Sequence, residues 1–347
     1  MSGNNYSIPP GSLILVTGAN GYIASHTIDI LLKEGYKVRG TVRGPKPWLN
    51  SYFDDKYGKG RFESVLIPTL DDSGTWLRVM ENVSGILHLA SDLSFGSDPH
   101  SVIPWVKRAT LTLLEAAASQ QSVKRVVLTS SSAAALIPIP NETGIRVDEN
   151  TWNEVSIKAA WAESTAAQDK GYHVYAASKA EQERAAWRWV EEHKPGFVFN
   201  VVVPNTNYGR ILLPEIGGST MAWLWGLLKG DDSLISRFPP QNLFLTEWFV
   251  NVEDTARLHV VALLSPAVKG ERIFAFASAF NWTDIINILK KLRPNNHLIP
   301  EPPANEGRDL SDIVLSRRAE DLLREFFGQP GWIGLERSIA EGIEGIE

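Results

Sequence analysis

The sequence predicts an α/β fold: a doubly wound, mostly parallel sheet with a smaller C-terminal lobe. Three observations carry that expectation. Short apolar runs alternate with longer amphipathic stretches over the first two hundred residues. A glycine-containing turn follows the first apolar run directly and opens a helical pattern. After Pro204 the rhythm changes to a chain rich in Pro, Gly and large aromatics.

Leu13, Ile14, Leu15 and Val16 form a run of buried-strand character, and Ile23, Thr27, Ile30 and Leu31 then fall at helical spacing until Gly35. Residues 36–42 read as the second strand, followed by strand candidates at 62–67, 85–90, 125–129 and 197–203. Helical stretches lie between them near 74–82, 100–119 and 172–192. Such alternation predicts parallel strands covered by helices on both faces. Beyond Pro204 only one clear strand is expected, at 272–277, among short helices. The expected division is a dinucleotide-binding domain over 11–204, with 250–277 returning to it, and a substrate lobe and tail over 205–347.

Composition narrows the function classes. Of 347 residues, 44% are hydrophobic and 21% charged, as in an ordinary globular chain. Forty acidic against 34 basic residues leave a net charge of −6, without the basic excess of a nucleic-acid binder. The first eleven residues have neither a basic nor a long apolar region, so no secretory signal is read. No apolar run reaches the ~18 residues that span a bilayer. The chain has no cysteine, which excludes disulfides, thiolate nucleophiles and cysteine-ligated zinc. No His-Glu-x-x-His pair occurs, and no metal site is expected. A large disulfide-free chain of this kind fits the cytoplasm.

Residues 17–24, Thr-Gly-Ala-Asn-Gly-Tyr-Ile-Ala, sit between the first strand and the first helix. Gly18 and Gly21 allow a tight turn and close approach of a pyrophosphate, which the helix N-terminus attracts with free N–H groups. The plain alternative is a glycine turn with no ligand. An NAD enzyme usually carries an acidic residue about 20 positions on. Here no Asp or Glu occurs between Glu34 and Asp54, whereas Arg39 and Arg43 stand at the end of the second strand. Two cations there favour a 2′-phosphate, and therefore NADPH, unless both are merely solvated surface charges.

Tyr175 and Lys179 are one helical turn apart, and an ammonium beside a phenol stabilises phenolate. The phenol then acts as an acid near neutral pH. Tyr52 and Lys56 share the spacing but lie just beyond the second strand and are read as a chance match. Tyr175 opens a long helix before a late strand, and the run Thr129, Ser130, Ser131, Ser132 ends the strand preceding it, where an open α/β sheet builds its site. The bland alternatives are a core tyrosine, a Lys179–Glu183 pair at i,i+4 and serines that only cap a turn.

Taken together, these segments resemble the extended short-chain dehydrogenase/reductase superfamily, with its Rossmann-like fold, and within it the dihydroflavonol-reductase-like branch and the yeast and fungal aldehyde reductase II type. The resemblance runs through residues 15–21 (Leu-Val-Thr-Gly-Ala-Asn-Gly), 35–41, 123–131, 174–179, 239–241 (Pro-Pro-Gln) and 330–332 (Pro-Gly-Trp). It implies a catalytic set of Ser131, Tyr175 and Lys179, with Ser130 the runner-up serine. It also implies cofactor contacts from Asn20, Tyr22, Ile23, Ala90, Ser91, Thr129, Tyr175, Lys179 and Pro204, beside the two glycines and two arginines. Phe95, Asn205, Phe238 and Gln241 become candidate substrate linings alongside Ser131 and Tyr175. The implied activity is reduction of aldehydes and ketones, keto esters included, by hydride from NADPH. Three departures stand out: Ala24 replaces a third glycine, Thr69 an adenine-side Asp, and Thr112 a central-helix Asn. Residues 242–249 look longer than in similar chains. A dedicated secondary-metabolite or flavanone-type ketoreductase, and a non-catalytic NADPH-binding regulator, stay open as alternatives. A small-molecule carbonyl substrate is the expected partner, and the oligomeric state is not encoded.

Overall fold

The computed structural model describes residues 6–236 and 246–346. In chain order the elements are β1 (Leu13–Val16), α1 (Tyr22–Lys33), β2 (Lys37–Val42), α2 (Pro47–Tyr57), β3 (Phe62–Leu66), α3 (Ser73–Val79), β4 (Val83–His88), α4 (Pro99–Ala118) and β5 (Arg125–Thr129). There follow β6 (Arg146–Val147), α5 (Glu154–Trp161), α6 (Ala167–His193), β7 (Val198–Pro204), β8 (Thr206–Tyr208), α7 (Met221–Leu228), α8 (Ser233–Ser236) and β9 (Thr246–Asn251). The chain continues with α9 (Val252–Leu264), β10 (Arg272–Ala275), β11 (Ser278–Asn281), α10 (Trp282–Leu292), β12 (Asp312–Ile313), α11 (Ser316–Phe327) and α12 (Leu335–Gly342).

The chain divides into two compact units. The first takes Met1–Leu136, Trp152–Val203 and Ala256–Ile273. Its sheet has the order β10-β7-β5-β4-β1-β2-β3, and the pairs from β7 through to β3 are parallel. The order turns outward in both directions from β1 and β4, which opens a crevice at the carboxyl ends of those strands. Central strands are covered on both faces: all five residues of β5 are buried, as are Ile14, Leu15 and Val16 of β1. Continuous apolar runs of this kind are what a two-sided parallel sheet demands. Helix α6, 27 residues long, packs on α4, α5 and the short turn Ser132–Ala134 that follows β5.

The second unit takes Ile137–Thr151, Pro204–Thr255 and Phe274–Glu347. It holds a three-stranded sheet, β11-β9-β8, and a two-stranded pair of β12 with β6. β9 runs antiparallel to β11 and parallel to β8. α10 begins with a reciprocal cap, in which Asn281 and Asp284 each accept the other's backbone N–H. Among the described residues no helix is long and apolar enough to cross a membrane.

The fold corrects the sequence reading in three places. Among the described residues after Pro204 there are five strands, β8 to β12, not one. Four of them besides β10 are two to six residues long and carry polar residues such as Thr206, Asn207 and Ser278, too short for alternation to register. α2 and α5 were not expected as helices, because each buries only two side chains: Leu49 and Phe53, then Ser156 and Ala160. α6 begins at Ala167, so Tyr175 lies two turns inside the helix, not at its opening. The start has no side-chain cap and follows a polar stretch, which leaves no signal in the residues.

Candidate active site

The loop after β1 is built for close approach. Gly18 has φ +68°, and a Cβ placed there would lie 3.3 Å from Ala90, so only glycine fits without displacement. Its N–H donates to the Thr41 hydroxyl at 3.2 Å, while Gly21 N–H donates to Gly18 O at 2.8 Å. α1 starts at Gly21 with no side-chain cap, so its first N–H groups have no capping oxygen from the loop. Ala24, in the third-glycine position, is buried against the loop. On the facing strand the Ala90 N–H donates to the Thr17 hydroxyl at 2.9 Å. The Ser91 hydroxyl beside it is buried without a hydrogen-bond partner. A glycine cradle, an uncapped helix start and an orphaned hydroxyl together fit a dinucleotide. Asn20 and Ile23 are partly buried along the same turn, and Tyr22 is buried edge-on to His26.

The two arginines separate. Arg39 Nε donates to Glu63 at 2.6 Å, and its Nη1 donates to the Val79 and Glu81 carbonyls at 2.7 and 3.1 Å. Its guanidinium thus ties β2 to β3 and to the end of α3, contacts that charge alone did not foretell. Arg43 is exposed and makes no hydrogen bond or ion pair among the described residues. Thr69 is exposed and its hydroxyl donates to Asp71, which pairs with Arg108 at 2.9 Å. The Thr69 hydrogen bond first, and then Arg108, hold the Asp71 carboxyl below its usual range.

At the end of β5 the serines also separate. The Ser130 hydroxyl donates to Glu183 Oε2 at 2.6 Å and is committed to the interior. Ser131 caps the turn Ser132–Ala134: its Oγ accepts from Ala133 N–H at 3.3 Å, which leaves the hydroxyl proton to donate. Lys179 is 3% exposed and donates to the Thr129 carbonyl at 3.1 Å. Burial pulls its ammonium down to about 8, while the Glu183 charge pushes it up. Glu183 is bound to Arg272 at 2.6 Å and acts on Lys179 through its charge, without a direct hydrogen bond between the two. Tyr175, partly buried on the same helix face, has Phe95 against its ring, with centroids 4.8 Å apart. Phe95 has φ +52°, and a Cβ on Gly171 would lie 2.4 Å from its carbonyl oxygen. Gly171 thus lets the Phe95 loop close onto α6, a contact that sequence spacing did not reveal. The Tyr52–Lys56 pair lies on α2, where Lys56 binds Asp29 at 2.6 Å, and belongs to that surface.

A family model described as the NAD dependent epimerase/dehydratase family matches residues 14–275. The chain belongs to that family. It is 44% identical over 345 residues to ketoreductase nvfG of Aspergillus novofumigatus, covering 99% of each chain. It is also 46% identical to ketoreductase adrE of Penicillium rubens, covering 98% of each, and 39% identical to aldehyde reductase 2 of Sporidiobolus salmonicolor, covering 97% of each. The fold is similar to that of yeast methylglyoxal/isovaleraldehyde reductase Gre2 complexed with NADPH, at TM-score 0.76 and 23% identity, over 96% of this chain and 98% of that one.

The other residues that the sequence singled out are placed as follows. Pro204 ends β7, and Asn205 follows it with N–H donating to Ala275 O at 3.3 Å and its side-chain oxygen accepting from Thr206 N–H at 2.7 Å. The Asn205 side-chain oxygen is thus taken up by the Thr206 N–H and hydroxyl. Phe238 and Gln241 lie outside the described residues. Thr112 is buried on α4 but takes no part in the polar contacts of that helix with β4 and α6. Those are made by Thr110, which meets His88 Nε2 at 3.4 Å and accepts from Gln182 Nε2 at 2.5 Å, and by Lys107, which pairs with Glu181 at 3.3 Å. Thr17 accepts two backbone N–H groups and therefore donates to His88 Nδ1, at 3.0 Å. Burial first, and Lys179 second, pull the His88 imidazolium down to about 3, so the ring is neutral. Sequence spacing gave no hint of this Thr17–His88–Thr110–Gln182 chain, whose members are far apart in the sequence.

Proposed function

We propose that this member of the NAD dependent epimerase/dehydratase family is an NADPH-dependent carbonyl reductase, converting aldehydes and ketones to alcohols with Tyr175 as general acid. The observation that carries the reading is the end of β5. There, buried Lys179 is anchored on Thr129, Ser131 keeps a proton to donate, and Tyr175 stands one turn from Lys179. The names borne by the relatives, ketoreductase and aldehyde reductase, support the reaction class.

NADPH, when bound, supplies the hydride. The residues that would hold it are Gly18, Gly21 and the first N–H groups of α1 at the pyrophosphate, Ser91 beside them, and Arg43 at the 2′-phosphate. Lys179, as an ammonium, lowers the cost of charge on Tyr175. Tyr175 gives its phenolic proton to the oxygen of the former carbonyl, and Ser131 donates a hydrogen bond to that same oxygen. Negative charge is met where it develops. Phe95, over the Tyr175 ring, supplies an apolar wall for the substrate.

The test is Tyr175→Phe. Carbonyl reduction falls by at least about a hundredfold, the scale of a lost general acid, while NADPH still binds, as read by cofactor fluorescence. Full activity in that variant would overturn the assignment. Loss of activity together with cofactor binding would indicate a damaged fold. Within this class a dedicated secondary-metabolite ketoreductase is the narrower reading. It is favoured by the higher identity to the two named ketoreductases, 44% and 46%, than to the aldehyde reductase, 39%.

A further inference from the structure

Behind the proposed reacting groups lies a second, fully buried cluster. Glu183 sits one turn beyond Lys179 on α6 and has no exposed surface. Its carboxylate accepts from Arg272 Nε at 2.6 Å and Nη2 at 3.3 Å, from the Ser130 hydroxyl at 2.6 Å and from the Trp187 indole at 3.2 Å. Arg272, from β10, is itself covered by the Trp152 ring, 4.0 Å away. Four donors, two of them from Arg272, thus converge on this one carboxylate. A buried pair is a costly way to fill space, since apolar side chains of similar volume often do it at lower cost.

Two connections give the pair a role. Ser130 stands between Thr129 and Ser131, and Thr129 is held on both sides, its carbonyl by Lys179 and its hydroxyl at 2.7 Å from His259 Nε2. Two consecutive residues at the strand end, Thr129 and Ser130, are thereby held from α6 and α9, with Arg272 of β10 behind Glu183, and Ser131 follows directly. The second connection is charge. Tyr175 and Glu183 share the α6 face with Lys179; β5 offers the Thr129 carbonyl, β4 the neutral His88, α9 His259 through Thr129, and β10 Arg272 behind Glu183. Of these groups Glu183 alone is a carboxylic side chain.

We propose that Glu183, fixed by Arg272, is a positioning residue for the proton transfer: it clamps Ser130 so that Ser131 is oriented, and it supplies the negative charge that keeps Lys179 an ammonium beside Tyr175. The inference rests on the Ser131–Tyr175–Lys179 assignment.

The experiment compares wild type with Glu183→Gln in two readouts: the pH profile of kcat, and an NMR titration of the Lys179 side chain assigned through Lys179→Met. In Glu183→Gln the basic limb of the profile and the lysine titration both move to lower pH, by roughly one unit, the scale of a lost opposite charge. Glu183→Asp, which keeps the charge, restores both. Should Glu183→Gln fail to fold, the double variant Glu183→Leu/Arg272→Met removes both charges and shifts the limb and the titration in the same direction. An unshifted limb and titration in a folded variant, with only melting temperature lost, would overturn the proposal. A shifted titration in a protein that reduces no carbonyl supports the charge role and removes the reductase reading instead.

Discussion

Two adjacent serines with the same chemistry have different fates because one of them meets a buried carboxylate. Ser130 spends its proton on Glu183, and Ser131 keeps its own. Ser131→Ala is expected to lower kcat by about 10²–10³-fold, as for a lost oxyanion donor. Ser130→Ala is expected to leave kcat within about tenfold and to cost about 1–3 kcal/mol of stability, since a buried charged acceptor loses a partner. Steady-state kinetics and chemical denaturation of both variants check this. The arginines divide likewise. Arg43→Ala is expected to raise the KM for NADPH by about 10–100-fold, the scale of charge-assisted hydrogen bonds, and to leave the KM for NADH unchanged. At this scale the glycine loop and the serines at the end of β5 were legible as residue types at a fixed offset from an element boundary, and Tyr175 and Lys179 as a one-turn spacing, although their helix opens two turns earlier. The commitment of Arg39 to Glu63 and the Val79 and Glu81 carbonyls was not, because it depends on what β3 and α3 bring beside β2.

Elements set the site through close approaches that spacing does not encode. Gly171 on α6 and the left-handed Phe95 belong together, and neither is interpretable alone. Gly171→Ala forces the Phe95 carbonyl away from α6. The expected result is a raised substrate KM with NADPH binding kept, and Phe95→Ala should reproduce it; unchanged kinetics in both would remove Phe95 from the substrate wall. In the second unit, Glu247 on β9 receives the Thr206 hydroxyl of β8. Burial, with Asp309 adding to it, pushes its carboxyl up to about 7. A carboxyl raised in the folded state resists ionisation there. The group's stabilising contribution is therefore present below its unfolded pKa, is lost as pH rises towards about 7, and is absent above. Glu247→Gln should raise the melting temperature by about 2–4 °C at pH 8 and change it little at pH 4.5. The opposite pH dependence would contradict the burial account. β9 itself escaped the sequence reading because six residues with Thr and Glu at its start do not alternate cleanly.

For the whole molecule, alternation of apolar runs and amphipathic stretches was enough to read the parallel sheet. The inner strands β1, β4, β5 and β7 are largely buried and mostly apolar, as two-sided burial requires, whereas the edge strand β3 buries only Phe62. The region after Pro204 was less legible, since strands of two to six residues depend on partners distant in the chain, as β6 and β12 do. Net charge of −6 and a cradle of glycines over β1 agree with a small anionic cofactor, not a polyanion, as the ligand. The central claim is that this cradle and the β5 end together reduce a carbonyl with NADPH. It is tested most directly by following NADPH absorbance when the purified protein meets an activated aryl ketone or a β-keto ester, with NADH in parallel. The account predicts NADPH consumption matched by alcohol formation, and much slower turnover with NADH. Equal or faster use of NADH would contradict the role of Arg43, and no turnover with either, despite bound NADPH, would contradict the reductase reading.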